Sequence, residues 1–157
     1  MGHKTHPYGF RLGVIKDWKA HWYASNAAAY RELVLEDLRL RDSIRNEYKS
    51  FADAGISRVE IDRGAQDNVI NIHSARPGIL IGRDGERVKQ LRGRLEAITK
   101  RKVQLNIIEI DQPEIDAYLV SRNIADQLER RITYRRAMRQ GLTRTMQAGA
   151  KGIKIVS

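Results

Sequence analysis

Residues 79–91 read Ile79-Leu80-Ile81-Gly82-Arg83-Asp84-Gly85-Glu86-Arg87-Val88-Lys89-Gln90-Leu91, and the fold turns on this stretch. An apolar triplet runs into two glycines, Gly82 and Gly85, that bracket two polar residues. Beyond Gly85 the apolar positions Val88, Leu91, Leu95 and Ile98 repeat like one face of a helix. Glycines at such a corner let a sugar-phosphate backbone approach more closely than a Cβ would permit. The first turn of the following helix adds unpaired N–H groups and a positive dipole end, both suited to a phosphate. The bland alternative is a tight corner between two helices that holds nothing.

Outward from this corner the chain has a readable order. A helix spans about Tyr30 to Phe51, with Val34, Leu38, Leu40, Ile44, Tyr48 and Phe51 as candidate core positions, and Gly55 ends it. Ser57–Asp62 and Val69–Ser74 alternate as strands, with Gly64–Asn68 as the turn between them. After the glycine corner and its helix, Val103–Ile110 alternates again, and Pro113 closes the unit. Helix, strand, strand, corner, helix, strand predicts an α+β domain, a three-stranded sheet with helices on one face. A GxxG corner in that setting resembles the loop through which KH modules clamp about four nucleotides of single strand. Gly82, Arg83, Asp84, Gly85, Arg87 and Lys89 are its candidate RNA-binding residues. We divide the chain into an arm (1–29), the sheet domain (30–113), a helical segment (114–149) and a strand that opens a further domain (150–157).

The net charge of +10 points to a polyanion partner, and its distribution says more than its total. Residues 1–35 hold five Lys/Arg against two Asp/Glu, residues 36–121 fifteen of each, and residues 122–157 nine against two. A protein that used only its glycine corner would concentrate charge there, so at least two RNA-facing surfaces are expected. In the arm, Lys4, Arg11, Lys16 and Lys19 interleave with Tyr8, Phe10, Trp18, Trp22 and Tyr23. Rings between cations can stack on bases while the cations hold phosphates, or they can pin the arm to its own domain. His6 and Trp22 join those basic residues as candidate contacts.

Residues 115–148 are expected to be helical throughout, with Val120, Ile124, Leu128 and Ile132 as one apolar stripe and Met138, Leu142 and Met146 as another. Gly141 weakens the case for an unbroken helix, and Gly149 is a stop signal. Within 129–139, Arg131, Arg135 and Arg139 stand four apart on one helical face, with Arg136 about a quarter-turn away. The cluster is all arginine, the side chain best suited to bidentate phosphate contacts. A merely solvated face is the plainer reading.

Several chemistries are excluded or disfavoured. There is no Gly-x-x-x-x-Gly-Lys-Ser/Thr loop for a nucleotide and no Gly-x-Gly-x-x-Gly after a strand. His3, His6, His21 and His73 lack metal-ligand spacing, and Asp111, Glu114 and Asp116 read as a loop cluster rather than a nuclease site. We therefore expect no enzyme activity, cofactor or metal. No apolar run approaches the roughly 18 residues of a membrane span. With no cysteine and no apolar leader, cytoplasmic residence is the default.

Taken together, residues 1–13, 75–82 (Ala-Arg-Pro-Gly-Ile-Leu-Ile-Gly), 128–139 and 149–154 resemble the N-terminal part of the universal family of small-subunit ribosomal protein three, bacterial type. The resemblance covers nearly the whole chain. It implies a type II KH domain followed by a second αβ domain, in the head of the small subunit near the messenger entrance. The family's basic helix, matched by Arg135, Arg136 and Arg139, would line that entrance and help unwind messenger RNA without any ATP site. Ribosomal RNA, messenger RNA and neighbouring head proteins are the implied partners. Asp84 stands where family members often have Gly or Lys, which puts phosphate binding by this loop in doubt. A free-standing KH regulator or assembly factor is the main rival, and an enzyme acting on nucleic acid the other.

Overall fold

The computed structural model describes residues 2–64 and 66–156, so Ala65 in the expected turn and Met1 and Ser157 at the ends lie outside the described residues. Strand β3 (Asp67–Ser74) is the centre of the sheet domain, because alternation sends Asn68, Ile70, Ile72 and Ser74 to one buried face. It pairs antiparallel with β2 (Ile56–Arg63) and parallel with β4 (Lys102–Glu109). A parallel neighbour requires a crossover. The glycine corner sits in that crossover, between α3 (Pro77–Ile81) and α4 (Glu86–Thr99). Helix α2 (Ala27–Glu47) brings Leu40 and Ile44, and α4 brings Leu91 and Leu95, onto Ile61, Ile70, Ile72 and Val103 in one core.

The expected KH architecture is present, with one addition and two corrections near α2. The sheet has four strands, because the arm inserts β1 (Ala20–His21) parallel to β2, with Ala20 opposite Ile61. Leu38, expected in the core, is exposed, whereas its neighbour Asp37 is buried. The long helix ends at Glu47, and a 3-10 turn (Lys49–Ala54) carries Phe51 onto the edge of the core.

Asp37 is buried because it holds three elements together. Arg63 of β2 donates to Asp37 through Nε at 3.2 Å and also through Nη2, while its Nη1 donates to Glu36 at 2.7 Å. The other Asp37 oxygen accepts the Trp22 indole N–H at 2.9 Å. Trp22 packs against Tyr30 with ring centroids 5.5 Å apart. The arm is thus fastened by a buried carboxylate. Arg41 adds a second link, donating to the carbonyls of Lys19 and Val59.

On the open face of the sheet a polar chain crosses the strands. Asn106 donates to Asn71, Asn71 to Asp62, and Asp62 meets His21 Nδ1 at 2.6 Å. His21 also lies 3.4 Å from Asp17.

The C-terminal third departs from expectation. It is two helices, α5 (Ala117–Glu129) and α6 (Tyr134–Gln147), and the break falls at 130–133 rather than at Gly141. Arg131 turns the chain with a φ of 62°, so it lies off the helix and does not continue the Arg135–Arg139 face. Gly141 is buried within α6, where an added Cβ would meet Ile124 Cδ1 at 3.0 Å. The buried stripe is Ala137, Gly141 and Thr145, not Met138, Leu142 and Met146; Leu142 and Met146 are exposed. Small residues at that seam let α6 approach α5 and Ile124 closely. Leu128 is also exposed. Helix α6 stops before Gly149, which has a φ of 96°. Residues 152–156 form no strand, and Ile155 Cδ1 lies 3.8 Å from where a Cβ on Gly141 would stand.

Two outcomes are expected. Asp37→Ala leaves the buried Arg63 guanidinium with Glu36 as its one carboxylate partner and removes the Trp22 anchor, so it should cost about 3 kcal/mol in urea unfolding. His21 has its pKa raised above its ordinary value, chiefly by the hydrogen bond to Asp62 and further by Asp17. A group whose folded pKa is raised stabilises fully below its unfolded pKa and loses that contribution as pH rises through the folded value. Arm docking should therefore loosen as pH rises through the neutral range. The amide of Ile61, which donates to Lys19 at 3.1 Å, should lose exchange protection, after correction for intrinsic rates, in wild type but not in His21→Ala.

Candidate nucleic-acid interface

The glycine corner is exposed and its backbone is left-handed at three positions: Gly82 (φ 72°), Asp84 (φ 51°) and Gly85 (φ 71°). Two of these use glycine's tolerance, and Asp84 holds the region without it. No side chain caps the first turn of α4, so its N–H groups point at the loop. Arg83, Asp84 and Lys89 are exposed. Arg87 is not a loose cation. Its guanidinium lies 4.0 Å above the Phe51 ring and donates to the Ile79 carbonyl at 2.8 Å. A Cβ on Gly82 would stand 3.0 Å from the Arg87 methylenes. Arg87 therefore shapes the loop from beneath.

Carboxylates stand among the cations at this loop. Asp84 and Glu86 flank the start of α4. Farther along, a cleft between α4 and the β4 edge is lined by Asp67, Arg92, Lys102, Val103, Gln104 and Leu105. Glu96 of α4 accepts from Val103 N–H at 3.3 Å and from Arg92 Nε at 3.1 Å. The Val103 N–H, with help from Arg92, holds the Glu96 carboxyl below its ordinary pKa. An edge N–H that could read a base is already taken.

The second surface is α6. A step of roughly 100° per residue sets Arg136, Arg139 and Thr143 opposite the Ala137–Gly141–Thr145 seam, with Arg135 at the flank. All three arginines are exposed, and none makes an ion pair among the described residues. Asp126, the nearest expected counter-charge, lies 3.5 Å from Arg122. Arg136 and Arg139 line a shallow groove with Gln140 and Thr143, two uncharged residues that a run of arginines does not reveal. Their spacing on the Arg136 side of the helix was the available signal.

In the arm the expected contacts divide. His6 caps α1 (Pro7–Arg11) by accepting from Tyr8 N at 3.2 Å, and Arg11 folds back onto the Pro7 carbonyl at 2.8 Å. Lys19 lies 5.3 Å over Tyr8, and Trp22 is committed to Asp37. Lys4 and Lys16 are exposed, as are Phe10, Trp18 and Tyr23. Asp116, from the acidic cluster, caps α5 and accepts from Ser57 at 2.6 Å. Among the described residues no group of three or more His, Asp or Glu is placed to hold a metal, and no helix is long and apolar enough to cross a membrane.

A family model described as "KH domain" matches residues 39–115, and one described as "Ribosomal protein S3, C-terminal domain" matches residues 124–157. A small ribosomal subunit protein uS3 from Dehalococcoides mccartyi is 54% identical over 155 residues, which is 99% of this chain and 54% of that protein. The protein of the same name from Dictyoglomus turgidum is 50% identical, covering 99% and 62%. That from Streptococcus pyogenes is 49% identical, covering 98% and 69%. The chain thus spans about half the length of the Dehalococcoides relatives it matches.

The carboxylates at the loop yield a test. Asp84→Lys should tighten single-stranded RNA binding by removing a repelling charge at a helix N-terminus, and Arg83→Asp should weaken it. Equal titrations for wild type and Asp84→Lys would mean that the loop does not touch RNA.

Proposed function

The chain belongs to the small ribosomal subunit protein uS3 family, and from that premise we propose that it binds ribosomal RNA in the small-subunit head and presents α6 to incoming messenger RNA. The observation that carries the second part is the outer face of α6. Arg135, Arg136 and Arg139 are exposed there, with no ion pair among the described residues. Guanidinium groups engage phosphates bidentately, so three on a rigid helix can grip a strand's backbone without reading its sequence. The translocating ribosome would pull a paired messenger against these fixed cations, and the strands would part without nucleotide hydrolysis at this protein.

The remaining surfaces fit anchoring. Exposed Phe10, Trp18 and Tyr23 beside Lys4 and Lys16 suit ribosomal RNA or a neighbouring head protein, while Trp22 and His6 keep the arm in shape. The glycine loop, with Asp84 and Glu86 at its helix end, is a weak clamp that serves packing in the subunit more than capture of free RNA. Such a protein works in the cytoplasm, on the ribosome.

Replacing Arg135, Arg136 and Arg139 by Ala should leave the fold within about 0.5 kcal/mol per position, as surface changes usually do. Subunit assembly should be spared, and elongation through stable messenger hairpins should slow relative to unstructured messenger. Equal slowing on both messengers, or failure of the variant to assemble, would mean that the cluster grips ribosomal RNA.

A further inference from the structure

Tyr134 opens α6 and is 53% exposed, yet it is not idle. Arg135 Nε donates to the Tyr134 hydroxyl at 3.1 Å, and the guanidinium carbon lies 5.7 Å from the ring centroid. One aromatic ring and one cation are thus held together at the leading end of the arginine face. Phosphate contacts alone cannot keep a melted strand open, because they leave its bases free to pair again. A ring beside those contacts supplies the missing element: every base has a π-face, and stacking on an aromatic side chain is tolerant of sequence.

We propose that Tyr134 is a stacking platform for an unpaired base of single-stranded RNA, with Arg135 held beside it by the hydroxyl. This rests on the reading of α6 as an RNA-binding face. The ligand class is a single strand carrying bases, and a bare sugar-phosphate backbone gains nothing from the ring. Tyr134 is therefore a binding residue through its ring, and its hydroxyl contact with Arg135 is not needed for the stack.

The test compares a six-nucleotide adenosine RNA with an abasic ribose-phosphate strand of the same length, each titrated into the full chain. Tyr134→Leu should weaken binding of the adenosine strand about tenfold. It should leave the abasic strand and the salt slope unchanged. Tyr134→Phe keeps the ring and should stay within about twofold of wild type. A 2-aminopurine in the strand should be quenched by wild type and Tyr134→Phe but less by Tyr134→Leu. Equal loss on both strands, or no loss on either, overturns the proposal. If Tyr134→Leu loses helicity by circular dichroism, Tyr134→Trp decides: equal or tighter binding of the adenosine strand supports stacking, and weaker binding overturns it. The Arg135, Arg136 and Arg139 triple Ala variant separates the two readings. It should flatten the log–log salt slope by about 0.7 per lost phosphate contact. An unchanged slope sinks the α6 reading itself, whereas a flattened slope with an inert Tyr134→Leu sinks only the stacking platform.

Discussion

The Asp37 carboxylate joins the arm, helix α2 and the sheet at one buried point. It binds Arg63 from β2 and the Trp22 indole from the arm, and its own helix α2 supplies Glu36 to the same guanidinium. Burying these charges is costly unless every partner is in place. The cluster is therefore cooperative, since losing one member weakens the compensation of the buried charges that remain. Its consequence is positional. With Trp22 held, Lys19 and His21 lie along β2, the arm becomes an edge strand, and Phe10, Trp18 and Tyr23 are left facing outward.

At the other end of the chain the governing constraint is size. Ala137, Gly141 and Thr145 form the inner seam of α6, and Gly141 has just enough room for Ile124. That close approach fixes which way α6 is rotated, and the rotation turns Arg136 and Arg139 away from α5. A seam of large residues would stand the helices apart, and one shifted by a single position would swing the arginines by roughly 100°. The left-handed turn at Arg131 sets where α6 begins. The outward placement of the arginines thus follows from glycine and alanine as much as from arginine.

Much of the sheet domain was legible because its signals are large apolar residues at simple periods. Ile70 and Ile72 alternate, Leu91 and Leu95 lie four apart, and two glycines mark the corner between helices. What was illegible followed from other physics. Small residues carry little hydrophobic signal, so counting large apolar side chains put the α6 stripe on Met138, Leu142 and Met146. Nothing at 130–133 is Gly or Pro, yet Arg131 adopts a left-handed turn that arginine seldom takes. Trp22 and Arg87 carry RNA-binding residue types, but Asp37 and Phe51, far away in the chain, claim them. Pairings across such separations leave no local periodicity.

A surface of mixed charge and a surface of unpaired cations therefore share one chain. The glycine corner offers a helix N-terminus beside Asp84, Glu86 and, farther along α4, Glu96, whereas α6 offers cations with no paired acid among the described residues. The account assigns incoming messenger to the second. The most direct measurement is photo-cross-linking from Thr143, in the groove beside Arg136 and Arg139, in assembled small subunits carrying a labelled structured messenger. The account predicts adducts on messenger nucleotides that have yet to be decoded. Adducts on ribosomal RNA alone would contradict it.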